Sequence, residues 1–167
     1  MWCCWSTGSA GAPVAERRPG SPGADAHWLA LAVALAGECP RSETAFSVGA
    51  VVVADDGTEL ARGYSREEEP HDHAEEVALR RVRAGDPALA TATVYSTLEP
   101  CSRRASRPVT CTRLILRAGA PRVVIAWREP ELFVDCHGVE ELRAAGVEVV
   151  EMPEFAAAVR SVNAHLF

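Results

Sequence analysis

Four residues of this chain are of types that can do chemistry together: His73, Glu75, Cys101 and Cys111. Only five histidines are present, and two of them fall in "HDHAEEVAL", His71 to Leu79. His73 stands two residues before Glu75. The two cysteines close off a loop in "TLEPCSRRASRPVTC". One imidazole and two thiolates suit zinc. Three protein ligands leave a tetrahedral ion one open position, as in catalytic sites, whereas structural sites are filled by four. Glu75 is too close to His73 in sequence to be a fourth ligand without strain. It is well placed to hydrogen-bond a water there and to carry protons. The chemistry that fits is hydrolytic: attack of an activated water on an electrophilic carbon, with the carboxylate moving its protons. Zinc lowers the pKa of a bound water from about 15.7 to about 7.

The elements that would position these residues follow from periodicity. "AHWLALAVALAGEC", from Ala26, is apolar all round and rich in Ala and Leu, so a largely buried helix is expected. Val48 to Val53 reads as a β-branched strand, Asp55-Asp56-Gly57 as a turn, and Glu59 to Gly63 as a return strand, together a hairpin. His73 to Arg83 has apolar residues at helical spacing, stopped by Gly85-Asp86-Pro87. Further strands are expected at Ala92–Thr97, Arg122–Trp127 and Val147–Glu151. Further helices are expected at Cys111–Ala120, Gly138–Gly146 and, opened by Pro153, through the last residues. The order predicts an α/β fold: one mixed five-stranded sheet with helices on both faces. Two helix starts could then converge over one sheet edge, where their dipoles favour thiolates.

Bulk properties narrow the classes. The 167 residues suggest a single domain of ordinary size, and 48% hydrophobic residues suffice for a core. A net charge of −6 and 6% aromatics argue against a protein that grips nucleic acid. No apolar run reaches the roughly 18–20 residues of a membrane span. The first 25 residues, rich in Gly, Pro, Ser and Ala, are expected to be a disordered leader, with the folded domain at 26–167. They lack the order of a signal peptide, so a cytoplasmic protein is expected. Six cysteines without an export signal favour metal ligands or free thiols over disulfides. Cys39 and Cys136 are expected to be ordinary thiols.

His73-Ala74-Glu75 followed by Pro100-Cys101 resembles the signature H-x-E…P-C-x-x-C of the zinc-dependent cytidine-deaminase superfamily. Nine residues separate Cys101 from Cys111 where the common pattern has two. A longer, basic, Pro-containing insert is itself a feature of the riboflavin-pathway branch, and "SRRASRP" (Ser102 to Pro108) is similar to it. "TAFSVGAVVV", "GYSRE" and "REPELFVDCHGVEELRAAGVEVV" resemble the fungal-type deaminase of that branch. The resemblance covers about residues 27 to 163. It implies a cytidine-deaminase-like three-layer α/β/α fold. It also implies a Zn2+ cofactor on His73, Cys101 and Cys111, and a proton shuttle at Glu75. The implied substrate is a small phosphorylated pyrimidine, a diamino-ribosylamino- or ribitylamino-pyrimidinone. No reductase segment is recognised after it, so a stand-alone deaminase is expected. Oligomers are usual in the superfamily, and a homodimer is expected.

The resemblance also implies substrate contacts: Phe46 as an aromatic wall, with Thr44 and Ser47 beside it, and the main-chain carbonyl of Glu99 receiving the leaving amine. Ser65 and Arg66 are second candidates. Arg103, Arg104 and Arg107 could clamp a phosphate, since arginine forks suit it, or could line a solvated loop. His71 is expected to be a loop histidine without a ligand role, and Glu76 a solvated acid. His137 and His165 belong to no visible constellation. Three rival functions remain at this level. One is a deaminase of another nucleotide, such as dCMP, or of an antibiotic precursor. The others are a nucleic-acid editor and a non-catalytic interaction module stapled by zinc.

Overall fold

A computed structural model of the chain describes residues 17–130 and 136–167. The expected ten elements are all present and in the expected order. They are α1 (Pro22–Gly37), β1 (Gly49–Val53), β2 (Glu59–Tyr64), α2 (Ala74–Arg81), β3 (Thr93–Leu98), α3 (Cys111–Ala118), β4 (Arg122–Trp127), α4 (Gly138–Ala144), β5 (Glu148–Glu151) and α5 (Ala156–Val162). The sheet runs β2-β1-β3-β4-β5. β1 pairs antiparallel with β2 and β3, while β3–β4 and β4–β5 are parallel. It is therefore mixed, as expected.

β1 and β3 are buried along their whole length, because both faces of the sheet are covered. Strand alternation divides the core in two. Ala50, Val52 and Val94 point to one side, against Ala74 and Ala78 of α2, Ile115 of α3 and Leu142 of α4. Val51, Val53 and Tyr95 point to the other, against Trp28, Leu29 and Ala32 of α1 and Val159 of α5. Each fully buried valine or leucine contributes about 1.5–3 kcal/mol. The result is the three-layer α/β/α sandwich. Among the described residues, no helix is long and apolar enough to cross a membrane.

Three expectations need correction. First, α1 starts at Pro22, four residues before Ala26. Ser21 caps it by accepting from the Ala24 N–H, and Pro22 needs no donor at the first position. Of residues 1–25, 1–16 lie outside the described residues, 17–20 lead into the helix, and 21–25 hold the cap and first turn of α1. Residues 131–135, inside the stretch from Arg128 to Val150, also lie outside them. Second, α1 is less buried than the expected largely buried helix: Trp28, Leu29 and Ala32 are enclosed, whereas Ala30 and Ala34 face solvent. Third, Pro153–Phe155 forms a 3-10 turn that precedes α5, and a second such turn covers Ala164–Leu166.

One buried polar network braces the α1 side. Tyr95 donates its hydroxyl to Asp25 at 2.6 Å, and Arg122 donates to both Asp25 oxygens at 3.0 and 2.8 Å. Burial works against ionisation of Asp25, but Arg122 and Tyr95 hold its carboxyl below the usual range.

Candidate active site

The strand β3 and the helices α2 and α3 bring the four chemical residues together. His73 is the cap residue of α2, with extended backbone, so its ring stands clear of the helix barrel. Cys101 follows the end of β3, and Cys111 is the first residue of α3. Thr110 caps α3 by accepting from the Arg113 N–H. The Thr112 N–H donates to the Cys101 carbonyl at 3.2 Å, which ties the two cysteine segments together.

His73, Cys101 and Cys111 form a cluster whose ligating atoms lie within 4.8 Å of one another. The His73 Nδ1 is 3.6 Å from the Cys101 Sγ and 3.4 Å from the Cys111 Sγ. A tetrahedral zinc with ordinary Zn–S and Zn–N bonds needs an N···S edge of about 3.6 Å. The residues therefore fit a zinc ion with little movement. Among the described residues, this is the one group of metal-binding character.

The electrostatics favour the same occupant. Cys111 donates toward Cys101, which lowers the Cys101 thiol well below its ordinary range, helped by His73 and opposed by burial. The same contact raises Cys111. The Cys111 N–H also points at the Cys101 sulfur at 3.3 Å. Two buried sulfurs cannot both ionise side by side without a cation between them.

Glu75 sits one residue into α2, only 3% exposed. Ser96, buried on β3, donates its hydroxyl to the Glu75 Oε1 at 2.7 Å. That bond fixes one oxygen, and the carboxylate also lies beside Cys111, whose thiol it helps to raise. Glu75, His73 and Cys101 line one cavity of about 320 Å³, a volume suited to a small heterocycle with a substituent. Its walls include Thr44, Phe46, Ser65, Arg66, His71, Glu99, Arg103 and Arg104.

The other expected contacts separate on inspection. Ser47 does not line the cavity. Its Oγ accepts from Arg66 and its backbone is held by Asn163. Ser65 lines the cavity, but its hydroxyl is engaged with the backbone of Val48. The Glu99 carboxylate accepts from the Val139 and Glu129 N–H groups, so it braces the loop after β4. Arg104 reaches the cavity, yet its fork is held by Glu76 and the His71 carbonyl, with the side chain 3% exposed. Arg107 does not line the cavity and is paired with Asp72 and Glu76. Glu76 is accordingly an ion-pair partner and not a solvated acid. Burial works against Asp72, but Arg80 and Arg107 hold its carboxyl below the usual range. Of the three loop arginines, Arg103 alone is exposed.

Four residues escaped the sequence reading. Ser96 lies at an inward position of a strand whose alternation was legible, but nothing marked it as the partner of Glu75. Glu129 lines the cavity, and burial pushes its carboxyl up to about 7. Asp72 anchors the arginines and Asn163 the Ser47 backbone. Cys39 and Cys136 are half-buried free thiols, as expected.

Residues 23–127 match the cytidine and deoxycytidylate deaminase zinc-binding region. The chain belongs to this deaminase family. Within it, the chain is 41% identical over 130 residues to a diaminohydroxyphosphoribosylamino-pyrimidine deaminase of Schizosaccharomyces pombe, covering 77% of this chain and 32% of that one. It is 45% identical over 103 residues to the riboflavin biosynthesis protein RibD of Aquifex aeolicus, covering 62% and 27%. The chain thus spans about a third of the length of these relatives. Among solved structures, it resembles the diaminohydroxyphosphoribosylaminopyrimidine deaminase/reductase of Thermotoga maritima. The TM-score is 0.70 at 34% identity, over 83% of this chain and 38% of that one. The three-layer fold is the deaminase fold. His73, Cys101 and Cys111 make up a donor set that fits the zinc of this family's zinc-binding region.

Proposed function

We propose that the chain is a hydrolytic deaminase of a phosphorylated diaminopyrimidinone, in the riboflavin branch of the family. One observation carries the proposal. A carboxylate fixed by Ser96 and a cluster of zinc-ligand character open into the same cavity, walled by an aromatic ring. Zinc held by His73, Cys101 and Cys111 would supply Lewis acidity and an acidified water.

The chain's own residues do the rest. As the water oxygen bonds the ring carbon, Glu75 takes one water proton and delivers it to the ring nitrogen, then passes the remaining hydroxyl proton to the departing amine. The C–N bond breaks, a carbonyl forms, and ammonia leaves. Phe46 presents an aromatic wall to the flat ring, and Thr44 borders it. The Glu99 main-chain carbonyl is a candidate acceptor for the leaving amine. Arg103 is the arginine available for a phosphate, because Arg104 and Arg107 are engaged by acids and a carbonyl. A homodimer fits the same proposal. Light scattering would test it.

The functional test is ammonia release from a panel of substrates by zinc-loaded protein. Turnover of the diamino-ribosylamino- or ribitylamino-pyrimidinone phosphate is expected. Turnover of dCMP, with none of the diaminopyrimidinones, would overturn the substrate assignment.

A further inference from the structure

The segment from Pro40 to Ser47 contains no helix or strand, yet Thr44 and Phe46 form part of the cavity wall. Such a segment needs an external reason to hold one shape. The structure supplies several. Asn163, at the end of α5 and 0% exposed, accepts from the Ser47 N–H at 2.7 Å and donates to the Ser47 carbonyl at 3.1 Å. Its remaining amide hydrogen goes to the Val159 carbonyl at 3.0 Å. The His165 Nε2 donates to the Ser42 carbonyl at 2.9 Å. From the opposite side, Arg66 donates to the carbonyls of Pro40 and Phe46 and to the Ser47 hydroxyl. Arg66 itself holds a left-handed backbone, φ 61°, which a side chain tolerates only when its surroundings compel it. Phe167 packs at 6.4 Å from the Phe46 ring, and Trp127 at 5.9 Å from it.

A buried carboxamide is costly unless satisfied, and an apolar residue could end α5 equally well. What Asn163 does that no apolar side chain can do is bind both backbone groups of Ser47. Ser47 is the residue next to Phe46. We infer that Asn163 is a positioning residue for the substrate wall, with His165 as its assistant at Ser42. Together they set where the Phe46 ring stands in the cavity. Neither residue belongs to the zinc-ligand cluster or bonds to Glu75. Their loss should therefore weaken substrate binding and spare metal retention and proton transfer. The inference rests on the proposed deaminase activity for its kinetic readout alone.

The test uses Asn163→Ala, His165→Ala and His165→Gln, the last keeping a donor near the place of Nε2. Each is assayed for ammonia release from the diamino-ribosylamino-pyrimidinone phosphate, for zinc content, and for amide hydrogen exchange. One lost neutral hydrogen bond is worth roughly three- to tenfold in an equilibrium. His165→Ala should therefore raise KM by about that factor, and Asn163→Ala by about tenfold or more, with kcat within roughly threefold. His165→Gln should bring KM back toward wild type. Exchange should quicken at residues 42–48 and stay unchanged at 73–79. Unchanged KM and exchange in both alanine variants would overturn the inference. So would parallel loss of kcat, zinc and KM in His165→Ala, which would mark a general structural role. Should Asn163→Ala fail to fold, the His165 pair decides. Should the wild type release no ammonia, the proposed activity fails, while exchange at 42–48 still decides the clamp.

Discussion

At the scale of single residues, the site divides into groups that hold and groups that act. Ser96 holds: its hydroxyl is the partner of the Glu75 Oε1. Ser96→Ala should lower kcat by about tenfold with little change in KM, since a hydrogen bond to a charged group is worth about 1.5–3 kcal/mol. Steady-state kinetics would show it. Arg103 is exposed at the cavity mouth, whereas Arg107 is paired with Asp72. Arg103→Ala should raise KM for a phosphorylated pyrimidine by about tenfold and leave the dephosphorylated form unaffected. A comparable loss with both forms would count against a phosphate contact. The sequence singled out His73, Cys101 and Cys111, which the structure brings together, because residue types and order carry that grouping. It could not divide the three loop arginines, because their acidic partners lie about thirty residues away on another element.

At the scale of elements, the order of helices and strands was readable from periodicity alone, and the sheet followed from it. The start of α1 was misplaced because Gly-Pro-Ser composition suggested a loop, while Ser21 and Pro22 in fact form a cap and first turn. The contacts between elements were not readable. Asn163 and Ser47 are 116 positions apart, and nothing local in "SVNAHLF" names the partner. The meeting of α4 with the zinc-ligand segment is a second such case. A Cβ on Gly138, the first residue of α4, would come within 1.9 Å of the Pro100 carbonyl oxygen. Pro100 directly precedes Cys101. Gly138→Ala should cost about 1–3 kcal/mol through overpacking, lowering Tm by several degrees. It should also hasten zinc loss to a chelator, because relief of the clash displaces Cys101. Thermal melting with and without chelator would measure both effects.

At the scale of the whole molecule, the sandwich places its chemistry on one side of the sheet and a buried polar brace on the other. The brace sets part of the acid limit. The Asp25 pKa is lowered in the folded protein, against about 3.9 in the unfolded chain. Its contribution to stability is therefore complete above about pH 4 and is lost as pH falls through the lowered folded value. Urea unfolding of wild type and Asp25→Asn should differ by a constant amount from neutral pH to about pH 5. Below about pH 4 the difference should shrink toward zero. A difference that persists unchanged into strong acid would contradict the charged brace.

The central claim is that Glu75 moves protons beside a metal that three other side chains hold. It is tested most directly by measuring zinc content and ammonia release on one preparation of Glu75→Gln. One zinc per chain with a fall in turnover of about 100- to 10,000-fold is expected. Zinc retained with turnover near wild type, or zinc lost along with turnover, would contradict it.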